Sequence, residues 1–342
     1  MPSFEMRAAI KIKKLFAVKT LRAESARLGL KMFPTEKVDA ELVLYERERV
    51  IRGIQAARGI GGPTSSVSLP PMDQFSVSPG YYGEHMRWGE EELLKRRVIG
   101  DWFESEGGKE FQAAGSSYLN ERYLNRREKN NFDLLLTGGF QAMDKFGNIK
   151  YQAMYEIQQL SLTVPVTTYA TAAPLAELRA LVVQAQFGRS VDFRNGELWM
   201  NANTLNEILK NQNPNDLKGV RLNNGDTINS WKDKESGLQR ILLANDLPPI
   251  MVYDENYYPD GTGSAIRFIA DGRAILLGKR TDGQALGKYM LTRAVQNNEK
   301  PGEWFVVEDN RAMTRPYLQI AGGHNGCPVL EYPEAVAAIT LY

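Results

Sequence analysis

The sequence predicts an α+β fold, and three observations carry that expectation. Helical and strand-like patterns are both present, but they do not alternate in the regular way of βαβ units. The late part of the chain is a run of strands, Trp304 to Val307, Tyr317 to Ile320 and Val336 to Leu341. Glycine- and proline-rich stretches break the rest into short elements. At 342 residues, 43% of them apolar and 24% charged, the chain is long enough to bury a sizeable core as one large domain or two moderate ones.

The first 31 residues combine Arg7, Lys11, Lys13, Lys14, Lys19, Arg22, Arg27 and Lys31 with Ile10, Ile12, Leu15, Phe16, Val18, Leu21 and Leu28. This irregular amphipathic stretch reads as an arm, suited to lie across a neighbour or face a polyanion, with a solvated helix face as the alternative. It lacks the continuous apolar core of a secretory signal, and no run in the chain approaches the roughly 20 apolar residues that span a bilayer. No membrane partner is expected, and the protein should stay where it is made.

Pro34 ends the arm, and Val38 to Ile51 reads as extended. Residues 53 to 83 hold Gly53, Gly59, Gly61, Gly62, Pro63, Pro70, Pro71, Pro79, Gly80 and Gly83 with few large apolar groups. A stretch this long without a core of its own marks a functional protrusion or disorder. Phe75, Tyr81, Tyr82, Arg87 and Trp88, in and just after it, are the candidate contacts with a neighbouring copy, because aromatic and arginine side chains contribute strongly once buried on a partner.

Lys109 to Thr137 favours helix, with no proline and a polar middle of Arg122, Asn125, Arg126, Arg127, Glu128, Lys129, Asn130 and Asn131. Phe132, Leu135 and Leu136 anchor one end, and Gly138-Gly139 supplies a stop. A helix this polar is expected to span a surface or an interface rather than a core. Arg126, Arg127 and Lys129 are candidates to meet phosphate groups without reading sequence, a solvated face being the competing reading.

Phe140 to Asp144 and Ile149 to Glu156 flank a turn at Lys145 to Asn148 and predict a hairpin, followed by a β-rich stretch through Val164 and Val166. Pro174 opens an amphipathic helix with Leu175, Leu178 and Val182 on one face, closed by Gly188. A second domain begins here. It is expected to hold a strand at Leu198 to Met200, a helix at Thr204 to Lys210, a polar loop through Asn213 to Gly225, and strands at Ile241 to Leu243 and Ile250 to Tyr253. Ile266 to Ala270 and Ala274 to Leu277 are expected to pair across a type I′ turn at Asp271-Gly272.

Catalytic chemistry is sought without success. The two histidines, His85 and His324, lie far apart and exclude a His-rich metal site. Gly59, Gly61 and Gly62 lack the Lys-Ser or Lys-Thr of a phosphate loop. Asp254, Glu255, Asn256 and Asp260 have calcium-like spacing but no closing glutamate. Cys327, the one cysteine, cannot form an intramolecular disulfide; it reads as a buried or incidental thiol and fits a reducing cytoplasm. Forty-two Lys and Arg against 41 Asp and Glu leave a net charge of +1, so any nucleic-acid contact must be local. No catalytic, cofactor-binding or metal-ligating residue is assigned, and no enzyme is expected.

The order of parts, with the stretches "TEKVDAELVL", "NRREKNNFDLLLTGGFQAMDKFGNIKY", "LPPIMVYDENYYPDGTGSAIRFIADGRAILLG" and "MTRPYLQIAGGHNGCPVLEYPEAVAAITLY", resembles the tailed-phage major capsid protein E family, which is lambda major head protein-like and has the Hong Kong 97-type capsid fold. The resemblance runs from about residue 35 to the end as scattered residues rather than close identity. It implies an N-terminal arm at 1–45, an extended loop (E-loop) at 46–100, and a peripheral domain at 101–172 holding a spine helix at about 109–137. It further implies an axial domain at 173–302 and return strands of the peripheral domain at 303–342.

The function it implies is that of a structural subunit assembling into hexamers and pentamers, in the host cytoplasm, to form the virion's icosahedral head around double-stranded DNA. Portal, scaffold and decoration proteins are the implied further partners. Some relatives cross-link through a lysine and an asparagine, and nothing in this sequence identifies such a pair. The rival readings are an encapsulin-like shell around protein cargo, a metal-dependent hydrolase using Asp254 and Asp260, and an ordinary binding module. Deleting residues 56 to 85 is expected to leave a folded core that fails to form shells.

Overall fold

A computed structural model describes residues 27–48, 72–95, 108–143, 148–189, 191–210, 238–239, 242–243, 246–259, 263–279, 286–310 and 317–342. The basic segment 1–26 and the glycine-rich stretch 49–71, both singled out in the sequence, lie outside the described residues, as do Asp260 and Gly261.

The first strands are short. Helix α1 (Leu28–Met32) leads to β1 (Thr35–Lys37), and β2 (Val43–Glu48) and β3 (Met72–Val77) form an antiparallel pair in which Val43 lies opposite Val77. Strand β4 (Gly80–Gly89) and helix α2 (Glu90–Lys95) precede the long helix α3 (Gly108–Thr137), which at 30 residues is about 45 Å long. Gly138, at φ +77°, ends it by donating its amide to Leu134 O at 2.9 Å, a left-handed stop that costs glycine little. The predicted hairpin follows as β5 (Gly139–Met143) and β6 (Ile149–Ala153).

One sheet is built on the longest strand, β17 (Tyr317–Leu330). Gly326 pairs with Gly80 of β4 and with Leu291 of β13 (Gly287–Leu291), so those strands occupy opposite edges. β16 (Glu303–Asp309) pairs with 318–324, the stretch that β4 also pairs, and therefore continues the β13 edge. Between β13 and β16 the chain makes a small excursion, β14 (Arg293–Ala294), a 3-10 turn and β15 (Lys300–Pro301). β1 adds to β13 in parallel, and α3 packs on β17.

The second sheet runs β7 (Gln158–Ser161), β18 (Val336–Thr340), β12 (Arg273–Lys279), β8 (Asp192–Met200), β9 (Ile250–Val252). Its strands are apolar on both faces, as strands buried from two sides must be. Ala274, Leu276, Ala337, Ile339, Leu198 and Met200 face a core shared with α4 (Pro174–Gln186) and α5 (Ala202–Leu209). Their neighbours Ile275, Leu277, Val336, Ala338 and Trp199 face a second core that holds Phe132, Leu134 and Leu135 at the end of α3. Period-two alternation thus sorts one sheet between two cores.

Of the last strands, β16 and β17 join the α3 sheet, whereas β18 pairs with β12 and β7, its Val336, Ala337, Ala338 and Ile339 all buried between the two cores. Other expectations are corrected. Leu242 and Leu243 are helical rather than extended, with Leu238 and Leu242 one turn apart and both buried. Ile266 does not pair with the strand after Asp271-Gly272; β11 (Ile266–Arg267) pairs with β10 (Asn256–Tyr257). Only Gly272 has positive φ, where a type I′ turn needs two such residues. Residues 80–85 lie in the ladder with β17, so a deletion of 56–85 would remove part of the sheet.

Candidate functional site

The sequence expectation that α3 keeps its polar middle outside the core is overturned. Arg127 is 3% exposed, and Glu128, Asn130 and Asn131 are 0% exposed. Each is tolerated inside because partners await it from elements distant in sequence. The Arg127 guanidinium donates to Thr35 Oγ1 and to Tyr123 OH, and lies 4.9 Å from the centre of the Tyr289 ring. A cation so enclosed cannot meet phosphate, and Arg127 is withdrawn from the polyanion-facing candidates. Arg126 is exposed, 5.4 Å above the Tyr82 ring; Lys129 is half-buried and paired with Asp133 one turn on.

Next to Arg127 lies an aromatic cluster around His324. Tyr289 OH is 2.8 Å from His324 Nε2, Tyr82 stacks on the imidazole at 5.0 Å, and Tyr123 meets it edge-on at 4.7 Å. Asn130 Nδ2 donates to Tyr82 OH at 3.1 Å and to Tyr289 OH at 3.4 Å, and Tyr82 OH donates to Gln141 O at 2.9 Å. Burial, reinforced by the charges of Arg127 and Arg126, holds His324 well below its ordinary pKa, so the ring is neutral. Burial likewise pushes the Tyr82 hydroxyl up to about 12, the Tyr289 hydroxyl well above its usual value, and the Cys327 thiol up to about 12. Tyr82, Tyr123, Asn130, Tyr289 and His324 fasten α3 to the sheet.

The five contact candidates separate. Tyr82 and Trp88 turn toward their own helix: Tyr82 into the cluster above, and Trp88 over Gly115, where an added Cβ would lie 2.5 Å from the indole. Arg87 is exposed and its guanidinium sits 4.0 Å over the Tyr317 ring. Tyr81 is half-buried on the wall of a groove of about 370 Å³ that also touches Arg122, Arg126, Tyr257 and Tyr258. Phe75 lies opposite Tyr45 in the β2–β3 ladder and is half-buried.

Sequence reasoning missed a second polar set on α3. The carboxylate of Glu128 accepts the amides of Gly29 at 2.8 Å and Leu30 at 3.0 Å and the hydroxyl of Tyr253. Burial raises its pKa despite these donors and the nearby charge of Arg27. Glu121, Asn125, Glu128 and Asn131 share one stripe of the helix, at spacings of four, three and three, and that polar periodicity was the signal available in the sequence.

Large exposed apolar side chains include Leu44 on β2 (75% exposed), Ile149 on β6, Phe187 after α4 (88% exposed) and Val295 in the excursion before β16. Asp254, the described half of the acidic turn, is engaged with Arg267 Nε at 2.8 Å. Among the described residues no three His, Cys, Asp or Glu side chains converge as a metal would require, and no described helix is long and apolar enough to cross a membrane.

No protein-family model matches the chain, and no curated protein matches it. Solved structures do. A protein described as the capsid protein of a prophage of Escherichia coli CFT073 shares 13% identity over 98% of this chain and 100% of that one, with a TM-score of 0.58. A phage-related protein from Bordetella bronchiseptica RB50 shares 12% identity over 98% of each chain, with a TM-score of 0.54. The capsid of an empty GTA particle shares 9% identity over 94% of this chain and 98% of that one, with a TM-score of 0.50. The chain therefore has the fold of these phage-type proteins from end to end, the expected Hong Kong 97-type capsid fold.

Proposed function

We propose that the chain is the structural subunit of a tailed-phage icosahedral head, self-assembling into hexamers and pentamers around double-stranded DNA. The observation that carries this reading is the end-to-end fold shared with the prophage protein described as a capsid protein. The shape and chemistry of the chain support it. Buried polar groups of α3 bind other segments of the chain, and large apolar side chains on different elements, among them Leu44, Ile149, Phe187 and Val295, are exposed, as contact with neighbours would require. Portal, scaffold and decoration proteins are the further partners of such a head, and the virion is its location. Arg126 and Lys129 are the remaining candidates to face packaged DNA, and Tyr81, Arg87 and Phe75 the remaining contact candidates on and beside β4.

The content of the particles tests the role. Purified particles should protect double-stranded DNA from nuclease, with retention weakened by salt as phosphate contacts are. Particles enclosing a protein cargo and no DNA would instead assign the chain to an encapsulin-like shell.

A further inference from the structure

Every member of the polar stripe on α3 binds the segment Arg27–Leu30, and Glu128 also accepts the hydroxyl of Tyr253. Arg27 Nη1 donates to Asn125 Oδ1 at 2.6 Å, and Nη2 donates to Glu121. Glu128 receives the two successive amides of Gly29 and Leu30, and Asn131 Nδ2 donates to Gly29 O at 3.1 Å. A Cβ at Gly29 would lie 2.8 Å from the Glu128 carboxylate, which would have to shift to admit it. The segment is thus gripped through its backbone and one guanidinium. Its apolar share is Leu30 with half-buried Leu28 and Met32.

Three residues on, the mode of attachment changes. Phe33 is 0% exposed among Phe132, Tyr289 and Leu291, Tyr289 N donates to Pro34 O at 3.0 Å, and β1 then joins β13. Apolar packing and ladder bonds hold the chain from Phe33 onward, whereas mainly polar bonds hold it before.

We infer that Arg27–Met32 is a latch that seats on the long helix or lifts from it about Phe33 without opening the body, and that Glu128 decides between the two positions. A buried carboxylate whose charge is met by two amides and a hydroxyl has given up its hydration for hydrogen bonds of similar worth. Lifting the latch returns water to Glu128, and that recovered solvation offsets much of what the broken bonds lose. Removing a comparable area of apolar core has no such offset. Local opening therefore falls to the latch before it reaches the sheets. For any role in assembly the inference rests on the shell reading.

Hydrogen exchange on the full unassembled chain, followed by mass spectrometry, tests the latch. The peptide covering residues 27–33 should exchange by a local opening, faster than peptides from β8 and β12. Glu128→Gln offers the two amides a single acceptor oxygen and an amino group, and should speed exchange of 27–33 at least tenfold while β8 and β12 keep their protection. Tyr253→Phe removes one donor and leaves the backbone bonds, and should change 27–33 in a smaller but equally confined way. Unchanged exchange of 27–33 in both variants, or equal acceleration of 27–33 and β12, would overturn the inference, the second because Glu128 would then belong to one cooperative core. Should Glu128→Gln fail to fold, Asn131→Ala applies the same test. None of these readings depends on shells forming, so the latch and the shell role stand or fall separately.

Discussion

The imidazole of His324 is enclosed by Tyr82, Tyr123 and Tyr289, and Arg126 and Arg127 add positive charge beside it. Unfolding would restore its ordinary affinity for protons, with a pKa near 6.5. Between that value and the lowered folded one, the unfolded chain binds more protons than the folded chain. Stability from this group is therefore complete above 6.5 and is lost as the pH falls through the window, at a limiting slope of about 1.4 kcal/mol per pH unit. Chemical denaturation of the unassembled chain between pH 7 and pH 5 should show this loss, and His324→Phe should flatten the slope even though it also removes the bond to Tyr289. An identical slope in the variant would show that another group carries the acid sensitivity. Burial explains why neither His324 nor Cys327 announces chemistry: one is held neutral and the other protonated.

At the scale of elements, the long helix is fixed at its end by Gly138, whose left-handed backbone leaves an added Cβ only 2.1 Å from Tyr155 O. Gly138→Val meets both that carbonyl and an unfavourable φ, and should destabilise the chain by about 2 kcal/mol or more, read as a lowered denaturation midpoint. A midpoint unchanged within error would mean that the β5–β6 hairpin shifts to make room. The stop itself was legible in the sequence, as were the ends of α3, the β5–β6 hairpin, α4, β16 and β18, because glycine, proline and apolar spacing act locally; of β17 only Tyr317 to Ile320 was read, and the strand runs on to Leu330. The burial of Arg127, Glu128, Asn130 and Asn131 was not legible, since their partners Thr35, Gly29, Tyr253 and Tyr289 come from elsewhere in the chain. A polar helix face looks the same whether water or another segment answers it. Pairing failed for a related reason. Asp271-Gly272 does turn the chain, with Arg273 N donating to Ala270 O, but the apolar runs on its two sides are claimed by β10 on one hand and by β8 and β18 on the other.

At the scale of the whole molecule, the fold is shared with a prophage capsid protein and a phage-related protein, and the proposed function is assembly. Under that proposal the stretch 50–70 is open to a direct test. β2 and β3 pair directly, so replacing residues 50–70 by a short glycine-serine linker spares the ladder through Val43 and Val77 and all of β4. That variant should keep the unfolding midpoint of the parent as a monomer and yet form no closed particles by negative-stain microscopy; normal particles would remove the stretch from any role in assembly. The most direct measurement of the central claim is cryo-electron microscopy of the purified chain expressed alone. Closed shells or hexameric rings in which this fold repeats about six-fold and five-fold axes are expected, whereas a monodisperse monomer persisting at high concentration would contradict a shell subunit.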